Sequence, residues 1–200
     1  MRNLQKIAYT LDTSLRSKAS VGLVALATDH VLEHEVGRSV LYNHFPGVGC
    51  YTTRIQNDVT ISQKTLANME QQLSGAVQSL LPGKSMVQFA LNSAALKFWF
   101  YHLITGMEFN VIAFACTSAS LIIGPGKIQD ICQKHKGLNT RVTEPLSAAV
   151  SALKALNIAN FALVTPYTGD INDKMRNYFA QQGLEADFLC TMDFNIIYKS

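Results

Sequence analysis

The sequence predicts an α/β fold, a mostly parallel sheet flanked by helices. Three observations point to it. Short, unbroken apolar runs recur at Val21–Ala27, Val111–Ala115 and Phe161–Thr165, as in strands buried on both faces. Segments with helical spacing separate these runs, the alternation that builds parallel sheets. Glycine, proline and small hydroxyl residues stand at the junctions, where an α/β chain turns.

Taken in order, Val21–Ala27 is a first buried strand. Thr28-Asp29 caps a helix over Val31–Leu41, with Glu33 and Glu35 in its first turn, where acids suit the helix dipole. Pro46-Gly47 breaks the chain, and Val48–Ile55 is a second strand. Ser62 caps a long helix, Gln63–Leu81, whose Leu66, Met69, Leu73, Val77 and Leu80 share one face. Pro82-Gly83 ends it.

The segment 86–109 is an unusual apolar insertion, rich in aromatics and interrupted by Lys97, His102 and Glu108. Its uncharged part is too short to span a bilayer. Phe89–Leu96 resembles Phe114–Leu121, with Leu91 in the place of Cys116. A local duplication and a coincidence between two small-residue segments account for this equally well.

The strand Val111–Ala115 ends at Cys116-Thr117-Ser118. Residues after such a strand stand at its carboxyl end, where open α/β sheets bind ligands. A lone cysteine is most often a small buried apolar residue. Here Thr117, Ser118 and Ser120 surround the sulfur with hydroxyl and backbone donors, which makes Cys116 a candidate nucleophile or proton-transfer thiol. Farther on, Gly124-Pro125-Gly126 starts a helix to Lys136, closed by Gly137, and Thr140–Val142 is a short strand. Pro145 opens a helix to Leu156. After Phe161–Thr165 comes the loop Pro166–Asp170, with Asp170 as cap of a helix to Gln182. Gly183 closes that helix and Phe188–Met192 is a last strand.

With hydrophobic residues at 48% and charged residues at 16%, the 200-residue chain can bury a core. A formal charge of +3 is too mild to argue for nucleic acid. The trio Lys134-His135-Lys136 suits a helix C-terminus. Four scattered cysteines (Cys50, Cys116, Cys132, Cys190) without a C-x-x-C pair, and no signal peptide, indicate a reducing cytoplasm. Residues 1–16 are read as a flexible tail, with a weak organelle presequence as the alternative.

Two nucleotide motifs fail. A phosphate loop ending at Gly126-Lys127 would need Gly at 121 and a hydroxyl at 128, where Leu121 and Ile128 stand. No G-x-G-x-x-G follows a strand. His30-Val-Leu-Glu33-His34 matches H-x-x-E-H, a zinc-peptidase arrangement. It lacks an identifiable third ligand, so a solvated helix start ranks above a zinc hydrolase. Thr165-Pro-Tyr167-Thr168 is a strand-to-helix loop whose phenol could bond a carboxylate, and an ordinary turn with a packed tyrosine is the bland alternative.

Four ordered stretches, Val24–His34, Arg54–Asp58, Ala115–Ser120 and Ala162–Thr168, resemble the aspartate/glutamate/hydantoin racemase superfamily, closest to its maleate cis-trans isomerase and arylmalonate decarboxylase branch. The resemblance implies two pseudo-symmetric α/β lobes with the site between them and chemistry free of cofactor and metal. It implies a Rossmann-like first lobe, complete over residues 17–143, and a second lobe, 144–200, that is incomplete. Cys116 matches the first-lobe catalytic cysteine. Thr117 and Ser118 match residues that hold a substrate carboxylate, and Tyr167, with Thr168 beside it, matches a tyrosine that contacts the same carboxylate. Asp29 falls near a first-loop polar residue that is often asparagine in the relatives. The relatives' second-lobe cysteine has no counterpart here, and Cys190 does not match it.

By this resemblance the chain is an isomerase acting on a small (di)carboxylic acid through the Cys116 thiolate, maleate isomerase-like. An amino-acid racemase or arylmalonate-type decarboxylase stands close behind. A catalytically inactive remnant that binds a small acid or a partner protein is the competing class. The implied partner is a small carboxylate, without nucleic acid or membrane, and a homo-oligomer is compatible with all of these.

Overall fold

The computed structural model describes residues 18–58, 62–80 and 109–191. The expected N-terminal tail, the insertion up to residue 108 and its likeness to Phe114–Leu121 lie outside the described residues, as do residues 192–200.

Strand β1 (Ala19–Leu26) lies inside a four-stranded sheet, between β2 (Val48–Ile55) and β3 (Val111–Phe114), with β4 (Arg141–Thr143) beyond β3. Every pairing is parallel. Leu23, Val24 and Ala25 are all buried, so β1 is covered on both faces, as its continuous apolar run predicts. Val24 stands opposite both Thr53 and Phe114. Strands β1 and β2 end opposite each other at Leu26 and Ile55, and β3 ends two residues short of them, so all three carboxyl ends lie at one edge of the sheet.

Helix α1 (Gln63–Ser79) begins at the predicted cap. Ser62 Oγ accepts from Thr65 N at 3.2 Å, and Thr65 Oγ1 accepts from Ser62 N at 3.0 Å. This reciprocal pair satisfies two of the donors a helix start leaves open. Leu66, Met69, Leu73, Val77 and Leu80 are buried, all on the predicted face. Gly22 lies under the end of this helix. A Cβ there would come 3.0 Å from Leu80 Cδ1 and 3.2 Å from Phe109 Cδ1, so only glycine lets these side chains close onto β1.

Two helices follow β3 where one was expected. Helix α2 (Thr117–Ile123) starts directly after Cys116, and α3 (Pro125–Lys136) follows it. Gly124, at φ 89°, turns the chain between them, and Pro125 fits the first turn of α3. The seven residues of α2 are too few to display a helical period. Ser118, Ala119, Ser120 and Ile123 are buried, so no polar face marks them as a helix either.

The other differences are local. The expected α-helix Val31–Leu41 is a π-helix over Glu33–Tyr42 with no buried residue, and Val40 is exposed. The observed strands Ala19–Leu26 and Glu185–Thr191 replace the expected 21–27 and 188–192. Thr168, not Asp170, occupies the cap position of the last helix.

A second, two-stranded parallel sheet pairs β5 (Asn160–Thr165) with β6 (Glu185–Thr191). With it come α4 (Pro145–Ala155) and α5 (Gly169–Gln181). The carboxylate of Glu144 caps α4 by accepting from the N–H groups of Leu146 and Ser147, both at 2.7 Å. Leu146, Val150, Met175, Phe179 and Leu184 form a second core, with Phe161 edge-on to Phe179 at 5.1 Å between ring centroids. Leu121 and Tyr167 pack against both cores. Among the described residues, no helix is long and apolar enough to cross a membrane.

Gly75 lies inside α1 with open space where a Cβ would stand. Gly75→Ala should stabilise the protein by about 1 kcal/mol, because alanine lacks glycine's backbone entropy cost in a helix. Leu73→Ala, at a fully buried position, should destabilise it by ~2–5 kcal/mol. Denaturant titration of both variants checks the pair.

Candidate active site

Strand β3 delivers Cys116 to the rim of the first sheet. Its backbone is still extended at φ −140°, ψ 108°, and the chain then turns at once into α2. The Cys116 carbonyl accepts from Ser120 N at 3.0 Å and Ser120 Oγ at 2.6 Å, which fixes the turn. The sulfur is 3.8 Å from Ser118 Oγ. Cys116 is only 6% exposed, yet it lines an open cavity of about 440 Å³.

That cavity lies at the carboxyl ends of the parallel strands. Leu26 and Thr28 come from the end of β1, Asn57 and Asp58 from the chain after β2, and Ala115 to Ser118 from the end of β3. Thr65, Leu66 and Met69 of α1 form a wall, and Tyr167 enters from the loop after β5. Thr28 and Asn57 are tied together, with Asn57 Oδ1 accepting from Thr28 N at 3.3 Å and Thr28 Oγ1 at 3.1 Å. Arg54 braces the loop after β1. Its guanidinium donates to the carbonyls of Leu26 at 2.7 Å and Asp29 at 2.5 Å, and pairs with Glu33.

Burial pushes the Cys116 thiol above its ordinary 9.0. The backbone N–H of Ala119 and the hydroxyl and N–H of Ser118 favour the thiolate and offset part of this. The Tyr167 phenol is also pushed up, first by burial. The Thr117 hydroxyl opposes the shift, a charged Cys116 would add to it, and the Ser118 hydroxyl and N–H oppose it in turn. Sulfur, phenol, two hydroxyls and the first N–H groups of α2 thus share one small volume. No Lys, Arg or His is among the described residues lining it. An anion bound there would be held by hydroxyl and N–H donors, an arrangement helix starts provide.

The structure brings together four of the six residues singled out from the sequence, Cys116, Thr117, Ser118 and Tyr167. It does not bring Asp29 or Thr168 to the cavity. The Asp29 carboxylate accepts from Val31 N and Leu32 N, both at 3.0 Å, and so closes the turn into the π-helix. The Thr168 hydroxyl donates to the Asp170 carboxylate in the first turn of α5. The zinc alternative also meets a different geometry. His30 precedes the π-helix that carries His34, so the two are not one α-turn apart, and Glu33 is engaged by Arg54. Among the described residues, no group of three or more His, Cys, Asp or Glu could hold a metal.

Thr28, Asn57, Asp58 and Thr65 line the cavity as well, though the sequence did not single them out. Thr28, Asn57 and Asp58 lie inside the stretches that carry the superfamily resemblance, which was their available signal. Thr65 had none beyond its nearness to the helix cap.

No protein-family model matches the chain, and no curated protein does. Solved structures match it at low identity. The maleate isomerase Iso of Pseudomonas putida S16 is 14% identical, with a TM-score of 0.62, over 88% of this chain and 64% of its own. A Nocardia farcinica maleate cis-trans isomerase variant is 22% identical, with a TM-score of 0.64, over 87% of this chain and 63% of its own. An arylmalonate decarboxylase double mutant in its liganded form is 14% identical, with a TM-score of 0.55, over 84% and 59%. This chain therefore spans less than two thirds of the length of these proteins. It has the α/β fold of the maleate isomerases and arylmalonate decarboxylases, the fold that its resemblance to the aspartate/glutamate/hydantoin racemase superfamily implies.

Proposed function

We propose that the protein is a cofactor-independent enzyme working beside the carboxylate of a small acid, with Cys116 as the reacting group. Its first reaction in this reading is the cis–trans isomerisation of a butenedioate-like diacid. The observation that carries the proposal is the shared cavity, where the Cys116 sulfur, the Tyr167 phenol and the hydroxyls of Thr117 and Ser118 converge at the strand ends. The matched Nocardia farcinica isomerase, as a cysteine-to-serine variant, holds a covalently bound succinylcysteine intermediate, which is the adduct of a thiol and a four-carbon diacid.

In that chemistry the thiolate adds to one alkene carbon, and the π electrons move onto the adjoining carboxylate. Rotation about the new single bond comes next. The electrons then return, the C–S bond breaks, and the trans alkene leaves with no net proton change. Thr117, Ser118 and Tyr167 would hold the carboxylate as its charge grows, a role usually worth more than any other single catalytic contribution.

A second reading, decarboxylation or racemisation, is favoured by two observations. Burial favours the protonated form of the Cys116 thiol, which suits a group that gives its proton to the α-carbon of an enediolate. The apolar wall of Leu26, Leu66 and Met69 suits an acid with an apolar substituent. A binding protein without turnover is the remaining reading.

Proton NMR in deuterated buffer separates these, with maleate, arylmalonates and amino acids as substrates. Fumarate formation supports isomerisation, and loss of carbon dioxide or deuterium uptake at the α-carbon supports the second reading. Protection of Cys116 from alkylation by a dicarboxylate, without turnover, supports binding alone. Neither turnover nor protection would overturn the site. Where turnover is found, Cys116→Ala should abolish it and Tyr167→Phe should lower kcat about 10²-fold, the scale for losing one donor to a developing oxyanion.

Accessibility alone would favour labelling of the half-buried Cys50 and Cys190 over the buried Cys116. The informative measure is therefore a ratio. Iodoacetate relative to iodoacetamide should react faster at Cys116 than at Cys190, because only the former carries the carboxylate the cavity would hold. The pH profile has a definite sign. Since burial raises the Cys116 thiol, its alkylation rate should still be climbing above pH 9.0. Ser118→Ala removes a hydrogen bond to the thiolate and should move the midpoint higher still. Rates from peptide mass spectrometry across about pH 7–10.5 check both.

A further inference from the structure

Tyr167 reaches the cavity from a loop, and loops do not by themselves hold a side chain to the tolerance that chemistry needs. Its placement comes from its backbone, and one buried amide holds that backbone. We propose that Asn172 is a positioning residue for the cavity: with Thr165 and Thr191 it fixes both the N–H and the C=O of Tyr167, and so sets where the phenol stands beside Cys116. This rests on the reading that Tyr167 serves a site at Cys116.

Asn172 is 1% exposed, in the first turn of α5. Its Nδ2 donates to the Tyr167 carbonyl at 3.2 Å, and its Oδ1 accepts from the Thr165 hydroxyl. The same hydroxyl accepts from Tyr167 N at 3.1 Å. The three residues thus form a closed circuit: Tyr167 N–H to Thr165, Thr165 to Asn172, Asn172 back to the Tyr167 carbonyl. From β6, the Thr191 hydroxyl donates to that carbonyl as well.

The helix itself does not require asparagine at this position. The backbone N–H of Asn172 already bonds the Thr168 carbonyl at 3.0 Å, and asparagine is a poor interior helix former. Burying an amide is costly unless both ends are bonded. Here both are, and both bonds lead to the tyrosine loop. Aspartate would keep the acceptor but lose the donor and set a charge against a carbonyl. Leucine would lose both functions. Serine for Thr165 keeps the hydroxyl, while valine keeps the shape and loses it.

The test is 19F NMR on protein carrying 3-fluorotyrosine, with the Tyr167 signal assigned by its loss in Tyr167→Phe. It needs no substrate, so its outcome is independent of whether the enzymatic reading holds, which the substrate panel judges separately. In Asn172→Ala and Thr165→Val, circular dichroism should stay native. The Tyr167 signal should shift toward that of the exposed Tyr42, and its titration midpoint should fall toward an ordinary phenol. Thr165→Ser should match the parent protein. An unmoved signal and midpoint in folded Asn172→Ala and Thr165→Val would overturn the proposal. Thr165→Val alone decides it if Asn172→Ala does not fold. Where turnover is measured, those two variants should lower kcat about tenfold or more, with Thr165→Ser retaining it.

Discussion

The parallel register of β1, β2 and β3 is the constraint on which the rest of the structure depends. Because Val24 faces both Thr53 and Phe114, the three strands end within two residues of one another. Backbone bonds carry the alignment one residue further, with Ala115 N on the Val24 carbonyl at 2.9 Å and Ala27 N on the Ile55 carbonyl at 2.8 Å. Each strand then releases its chain into a loop or helix at a common rim. Thr28, Asn57 and Cys116 are consequently neighbours, though as many as 88 positions separate Thr28 from Cys116 in sequence. A one-residue slip of β3 would turn Phe114 out of the core and Ala113 into it. Phe114 and Ile112 are fully buried, so the register that creates the rim is the one that fills the core.

Legibility in the sequence tracked the length and contrast of each pattern. Helix α1 could be placed almost to the residue, because its 17 residues show the apolar period several times and Ser62 marks the start. The strands could be placed because a continuous apolar run bounded by turn residues fits little besides a buried strand. Helix α2 could not, being seven residues long and buried nearly all round. The π-helix failed for a different reason. Nothing in the residues Val31–Leu41 distinguishes the wider turns of a π-helix from those of an α-helix. For the cavity, lining residues next to a strand end were readable, as Cys116, Thr117, Ser118 and Tyr167 illustrate. Asp29 shows the limit. An acid after a strand serves a ligand or a turn equally well, and only the N–H groups of Val31 and Leu32 decide it.

The electrostatics of the cavity form a consistent set. With no cation on its described walls, negative charge there depends on hydroxyls and N–H groups, which are fixed in place and need no counterion. The same enclosure raises both the Cys116 thiol and the Tyr167 phenol. Each group therefore rests in its neutral, donating form. With their protons kept, Cys116 and Tyr167 present donors to an incoming anion, whereas a thiolate beside a phenolate would repel it. The burial that raises the Cys116 thiol keeps it a hydrogen-bond donor and leaves little of it as the nucleophilic thiolate.

Tyr167 is also where the two sheets meet in energetic terms. Among the described residues, it and Leu121 are the side chains that pack against both apolar cores. Its ring belongs to the packing, its backbone to the Thr165–Asn172 circuit of the second sheet, and its phenol to the helix start of the first. Movement of α5 relative to α2 would thus strain the phenol's bonds to Thr117 and Ser118 and its packing on both cores together. Close-packed cores lose a quarter to a half of a contact's attraction over a gap of about 0.5–1 Å, and hydrogen bonds weaken steeply with angle, so both resist the same small displacement. The packing that seats the second sheet is therefore also what holds the Tyr167 phenol beside Thr117 and Ser118.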